Sequence, residues 1–188
     1  MGDPLVIIEG NPQPLGADAT RSAWNDLSVP LTQGKQGNTA KPDYDYTNLA
    51  FLFPQNDPDE ILYLTFQMPH FWRYDSIIYP HVHWHQSADQ NVTWKIDYRW
   101  TNLSDAVSGT WTTYVMDQPA VEYTAGTIHQ LSAGTEGIDG TGKALSSELQ
   151  VKLYRDDNVY TGDAPATMFD IHIEIDSFGS ELQFTKYA

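Results

Sequence analysis

Tyr79-Pro80-His81-Val82-His83-Trp84-His85-Gln86 alternates apolar and imidazole side chains over the length of one strand. Successive side chains of an extended strand point to opposite faces. Ile78, Pro80, Val82 and Trp84 therefore share an apolar face suited to a core, while Tyr79, His81, His83 and His85 share the other. Three of the chain's six histidines fall on one surface, which is either a metal site or a polar wall.

Two further segments alternate as cleanly. Val92, Trp94, Ile96, Tyr98 and Trp100 oppose Thr93, Lys95, Asp97 and Arg99, and Phe169, Ile171, Ile173 and Ile175 oppose Asp170, His172, Glu174 and Asp176. One dry and one wet face per strand is the pattern of antiparallel sheets packed across a shared core. Segments 60–67, 77–86, 91–101, 111–116, 128–131, 148–154, 168–176 and 183–186 read as short strands between polar turns, and no long window has a helical period. The expected fold is all-β, an antiparallel β-sandwich. Segments 77–86 and 91–101, joined through Ser87-Ala88-Asp89-Gln90, are expected to form a hairpin. That pairing would set His81, His83 and His85 beside Thr93, Lys95 and Asp97. If strand 168–176 lies on the same sheet, His172 and Glu174 join the patch.

Lys and Arg total 10 against 25 Asp and Glu, a formal charge of −15. Such a chain repels a phosphate backbone unless a basic patch compensates, and there is no basic run to form one, so no nucleic acid partner is expected. No apolar run approaches the length of a membrane span, so no membrane partner is expected either. The start, Met1-Gly2-Asp3-Pro4, has neither the basic nor the apolar region of a signal peptide, which points to cytoplasmic synthesis. Cysteine is absent, so disulfides and thiolate metal sites are excluded and stability must come from packing or oligomerisation. At 188 residues and 40% hydrophobic content, with 6 Trp, 11 Tyr and 7 Phe, the chain suits one β-rich domain. Residues 1–44 are rich in turn signals such as Asn11-Pro12-Gln13-Pro14 and Gly34-Lys35-Gln36-Gly37-Asn38. They are expected to form an extended arm, with residues 45–188 as the sandwich. Removing residues 1–40 should then weaken assembly and leave the β-domain folded.

Three readings of the histidine face stand side by side. Imidazoles plus a carboxylate can hold zinc or iron within one subunit. The His81-x-His83 pair resembles that of the cupins, but Ser87 stands where their Glu would follow and the flanking glycines are missing. Alternatively, a trimer axis beside the strand would bring three copies of His81 and His83, with His85, to one ion. The third reading needs no cofactor. It is a polar face at a subunit contact, with His81, His83, His85, His172 and Glu174 satisfied by hydrogen bonds.

Other motifs fail on context. Gly137-Ile138-Asp139-Gly140-Thr141-Gly142-Lys143-Ala144 matches the Gly-x-x-x-x-Gly-Lys of phosphate-binding loops but lacks the following Ser or Thr and the strand-to-helix setting. A surface loop between strands is expected there. Asp156, Asp157, Asp163 and Asp170 lack the spacing of a calcium-binding loop. No Gly-x-Ser-x-Gly elbow is present, and no catalytic residue is assigned. Trp72, Tyr74 and Tyr79 suit either a sugar groove or a core.

Several separated phrases occur together: Trp24-Asn25-Asp26-Leu27-Ser28-Val29-Pro30, Gln67-Met68-Pro69-His70, Tyr79-Pro80-His81-Val82-His83-Trp84, Asp139-Gly140-Thr141-Gly142-Lys143 with Ser146-Ser147, and Phe169-Asp170-Ile171-His172-Ile173-Glu174-Ile175-Asp176-Ser177-Phe178-Gly179-Ser180. In this order they resemble a family of small virion structural proteins of tailed bacteriophages and prophages, over roughly residues 24–186. The resemblance implies a sandwich of jelly-roll type, a homotrimer, and a place on the virion after synthesis in the host bacterial cytoplasm. It supplies no catalytic residues. The expected role is non-enzymatic: a head decoration, or cement, protein that binds the major capsid protein or other virion proteins. The alternatives are a tail, collar or fibre component, a carbohydrate-binding module for host attachment, and a cupin-like metal-dependent enzyme using His81 and His83.

Overall fold

The computed structural model describes residues 23–116, 125–130, 136–157 and 159–180. Its strands are β1 (Ala23–Pro30), β2 (Lys35–Gln36), β3 (Asp43–Asp45), β4 (Ala50–Phe53), β5 (Leu62–Gln67), β6 (Ile78–His85), β7 (Trp94–Thr101), β8 (Thr112–Met116), β9 (Ile128–Gln130), β10 (Glu148–Arg155) and β11 (Ala164–Ile175). One sheet runs β3-β4-β11-β6-β9, with β1 also paired to β11, and the other runs β2-β5-β10-β7-β8. All these pairings are antiparallel. The orders β4-β11-β6-β9 and β5-β10-β7-β8 are those of a jelly roll. The chain is an all-β antiparallel β-sandwich, as its period-two patterning required. The expected edge strand at 183–186 lies outside the described residues.

The two inner faces meet through large side chains. Trp84 of β6 and Trp94 of β7 approach edge to face with ring centroids 6.0 Å apart, Phe53 of β4 meets Trp94 at 5.0 Å, and Phe66 of β5 meets Phe169 of β11 at 5.6 Å. Val82, Ile96, Leu149, Leu153, Ile171 and Ile173 fill the space between them and are buried. Each such side chain contributes about 1.5–3 kcal/mol on leaving water.

The expected β6–β7 hairpin is not formed. β6 pairs with β11 and β9 in one sheet, and β7 pairs with β10 and β8 in the other. Alternation cannot distinguish apolar residues that sit side by side in one sheet from those that face each other across a core. Gln86 makes the crossing. It is buried, accepts from Trp84 Nε1 at 2.9 Å, and donates from Nε2 to the carbonyls of Ala88 at 2.6 Å and of Gln90. The segment is a buttressed passage between sheets, so Thr93, Lys95 and Asp97 are not neighbours of the histidines.

The boundary expected at residue 44 also moves. β1 pairs with β11 along its whole length, from Ala23↔Ile175 to Pro30↔Met168, β2 pairs with β5, and β3 pairs with β4. Leu31, in the short 3-10 turn Leu31–Gln33, is buried in the core. Residues 23–45 are therefore part of the sandwich, and residues 1–22 lie outside the described residues. The turn-rich composition that suggested an arm marks short edge strands with tight connections. Gly34 is one of these connections, its amide closing on the Leu31 carbonyl at 2.8 Å.

Pro80 sits inside β6 without breaking its ladder to β11, where it pairs with Ile171. Alternate amides of a strand point to the same side. The Ile78 amide points away from β11, to the carbonyl of Ile138 at 3.0 Å. Pro80 shares that side, and there β9 pairs only with His83–His85. Its missing N–H falls where no ladder bond is required.

Candidate functional site on the histidine face

β6 and β11 lie side by side in a register that pairs His83 with Met168, His81 with Asp170, and Tyr79 with His172. Paired residues share a face, so the outward row of β6 meets the outward row of β11. β1 continues this face on the far side of β11, setting Ser28 opposite Asp170, Asp26 opposite His172 and Trp24 opposite Glu174. A β-bulge between Ala166 and Met168 shifts the register just beyond His83.

Asp170 is the centre of the face. Its Oδ2 lies 3.0 Å from His83 Nε2 and 3.4 Å from His81 Nε2. His81 is 1% exposed although it sits on the outward face, and the His83 side chain retains 24% exposure. The other ring nitrogen of His81 lies 3.5 Å from the Tyr79 carbonyl, a long contact that matches the ring pointing Nε2 at the carboxylate. Burial disfavours the Asp170 carboxylate, but hydrogen bonds and positive charge from His81 and His83 more than offset it and hold the group well below the usual carboxylate range. Asp170 Oδ1 is buried with no hydrogen-bond partner among the described residues.

The remaining expected site residues separate from this cluster. The His172 ring lies against His81, with centroids 4.2 Å apart, yet its Nε2 turns to Asp26 Oδ1 at 3.1 Å. Burial and the neighbouring His81 lower its pKa, against the opposite pull of Asp26 and Asp170. Glu174 is bound by Arg73 at 2.8 Å. His85 lies further along β6, in a recess it shares with Ser87, Tyr160 and Asp163. His81, His83 and Asp170 are the one group of three His, Cys, Asp or Glu residues among the described residues placed to hold a metal ion, with ligand atoms within 4.8 Å of one another. All three come from one chain.

Sequence reading missed Asp170 as the partner, because 87 residues separate it from His83. Its place as the first polar residue of the alternating run after Phe169 was the one available signal.

The tempting motifs are committed to structure. Gly137, at φ +57°, and Gly140 let the 137–143 loop pass against β6, where a Cβ would lie 2.3 Å from Ile77 Cγ2 and from the Ser76 carbonyl respectively. Lys143 Nζ donates to the Trp100 carbonyl at 2.8 Å and the Gly142 amide to Asp75 at 2.8 Å, so the loop has no free phosphate cradle. Asp157 is bound by Arg155 at 2.6 Å and Asp156 by Lys95 at 2.5 Å, which disperses the acidic group considered for calcium. Trp72 is a core residue.

No protein-family model matches the sequence, and no curated protein does. Among solved structures the chain is similar to the CBM36-1 domain of a multidomain xylanase from the hindgut metagenome of Trinervitermes trinervoides. Identity is 10% and the TM-score 0.41, over 78% of this chain and 96% of that one. It is also similar to a chain in the structure of infectious bursal disease virus Gx strain, at 11% identity and a TM-score of 0.31. That match covers 83% of this chain, which spans 33% of the viral one. At this level of similarity neither likeness carries a function across.

Proposed function

We propose that the protein is a non-enzymatic structural component of a bacteriophage virion, and within that class a homotrimeric decoration protein bound to the major capsid protein of the head. The observation that carries this reading is where the phrases that resemble those of phage structural proteins sit. The Met68 amide donates to the Ser147 carbonyl at 2.9 Å, the Ser146 amide returns to the Met68 carbonyl at 2.9 Å, and Trp100 Nε1 donates to Ser147 Oγ at 2.8 Å. His70 hydrogen-bonds with both Ser180 Oγ, at 2.5 Å, and Ser146 Oγ, at 3.2 Å. Three of the five phrases thus close a single seam at one end of the sandwich. The first and last phrases also present aromatics outward, with Trp24 54% and Phe178 88% exposed. Architecture inside and exposed aromatics outside suit a protein whose task is contact with other subunits.

The experiment is sedimentation equilibrium of the purified chain followed by immunogold labelling of intact particles. A mass three times 21.2 kDa and label on the head support the proposal. Label on tail, collar or fibre moves the assignment to those parts. Glycan binding by a protein absent from the particle favours host attachment and overturns the virion reading.

A further inference from the structure

The geometry points to a divalent transition-metal site of Zn²⁺ type, one per chain, held by His81 Nε2, His83 Nε2 and the Asp170 carboxylate. It goes beyond a structural role on the virion and does not depend on it, because every ligand belongs to one subunit.

Two imidazole nitrogens and a carboxylate oxygen are the donor set that zinc and its neighbours in the first transition row prefer. The spacing at the carboxylate fits as well. With metal–ligand bonds of about 2.0–2.1 Å, the edge of a tetrahedron is roughly 3.3 Å. The two edges that meet at Asp170 Oδ2 measure 3.0 Å to His83 and 3.4 Å to His81. The ligands sit on two adjacent antiparallel strands, paired from Ile78↔Ile173 to His83↔Met168, whose backbones fix their separation before any ion arrives.

A second feature is independent of the cluster's composition. Asp170 is 6% exposed, and its Oδ1 has no hydrogen-bond partner among the described residues, although a buried carboxylate oxygen left unsatisfied costs about 1–3 kcal/mol. An ion held through both carboxylate oxygens would give Oδ1 the partner it lacks among the described residues. Two imidazoles crowding one carboxylate oxygen, with the other oxygen idle, is a poor hydrogen-bond arrangement and a good first shell. The partial exposure of His83 gives the ion a route in and leaves room for water on the remaining coordination positions. In a chain without cysteine, such an ion would clamp β6 to β11 where a disulfide cannot.

Co²⁺ tests the site, since its visible absorption reports nitrogen and oxygen ligation directly. Protein stripped with a chelator is titrated with Co²⁺ alone and then challenged with Zn²⁺. One equivalent per chain, ligand-field bands displaced by one equivalent of Zn²⁺, and a melting temperature raised by about 5–10 °C at saturating Zn²⁺ are expected. Asp170→Asn and His83→Gln should each weaken binding by on the order of 100-fold or more, since losing a ligand exceeds the loss typical of an outer partner. His85→Gln should leave it unchanged. His83 is part-exposed, so its variant remains folded, as circular dichroism would verify, even if the Asp170 variant does not. Folded protein that takes up no stoichiometric ion would overturn the site and leave a hydrogen-bonded His–Asp–His wall. One ion per three chains, or binding that persists in both ligand variants, would overturn it equally.

Discussion

Arg155 is 0% exposed, so its charge has no water to fall back on. It is tolerated because every donor is used. Nε and one Nη bond both oxygens of Asp157, and the remaining donors reach the carbonyls of Phe53, Gly162 and Tyr160. The group ties β4, β10 and the turn before β11 together. Removing one partner strands the other in a dry site, so Asp157→Ala should lower unfolding free energy by about 3–5 kcal/mol in urea titration. Loss of less than about 1 kcal/mol would mean that water reaches the guanidinium. At the preceding residue of the same strand, burial, the Asp97 charge and the hydrogen bond to Asp97 push the Tyr154 phenol up to about 12. A phenol raised above its ordinary 10.0 stabilises the fold fully below that pH, and the contribution fades as pH climbs from 10.0 through about 12. Tyr154→Phe should therefore flatten the decline of stability over that alkaline window. A decline of unchanged steepness would assign it to other groups.

At the scale of elements, β6, β7 and β11 were legible because a period of two survives any tertiary context. Their partners were not. Trp84 faces Trp94 across the core, and the same alternation would serve a hairpin or a sandwich; only the buried Gln86 hints that the connection crosses the core. β1 was illegible for a different reason. Trp24, Asp26 and Ser28 look outward, and on the inner face the exposed Asn25 interrupts the run that Leu27 and Val29 mark, so its order comes from the ladder to β11 rather than from its own pattern. The site followed the same division: His81 and His83 were visible as neighbours in sequence, while Asp170 required the β6–β11 register. Truncation tests this view of the N-terminal segment. Deleting residues 1–40 removes β1, β2 and the buried Leu31, so the melting temperature should fall by more than about 10 °C, or cooperative melting should vanish. A truncated domain melting within a few degrees of the full chain would restore the arm reading.

At the scale of the molecule, a formal charge of −15 per chain becomes three times that in the proposed trimer, and self-repulsion opposes assembly wherever acidic faces approach. Basic residues do little to relieve it, because Arg73, Lys95, Lys143, Lys152 and Arg155 are already engaged within the chain. The contact must therefore draw its stability from apolar surface such as the exposed Trp24 and Phe178, with charge acting against it. Salt separates these terms, since the screening length falls from about 30 Å at 0.01 M to about 8 Å at 0.15 M and apolar burial is little affected. Sedimentation equilibrium at these two ionic strengths should show tighter trimers at the higher one. Trp24→Ser should weaken association at both while leaving the monomer's melting temperature within about 2 °C, because the ring is largely exposed. Association that weakens with salt would instead mean that subunits join through opposite charges, and the joining surface would then have to be sought around the few cations left free.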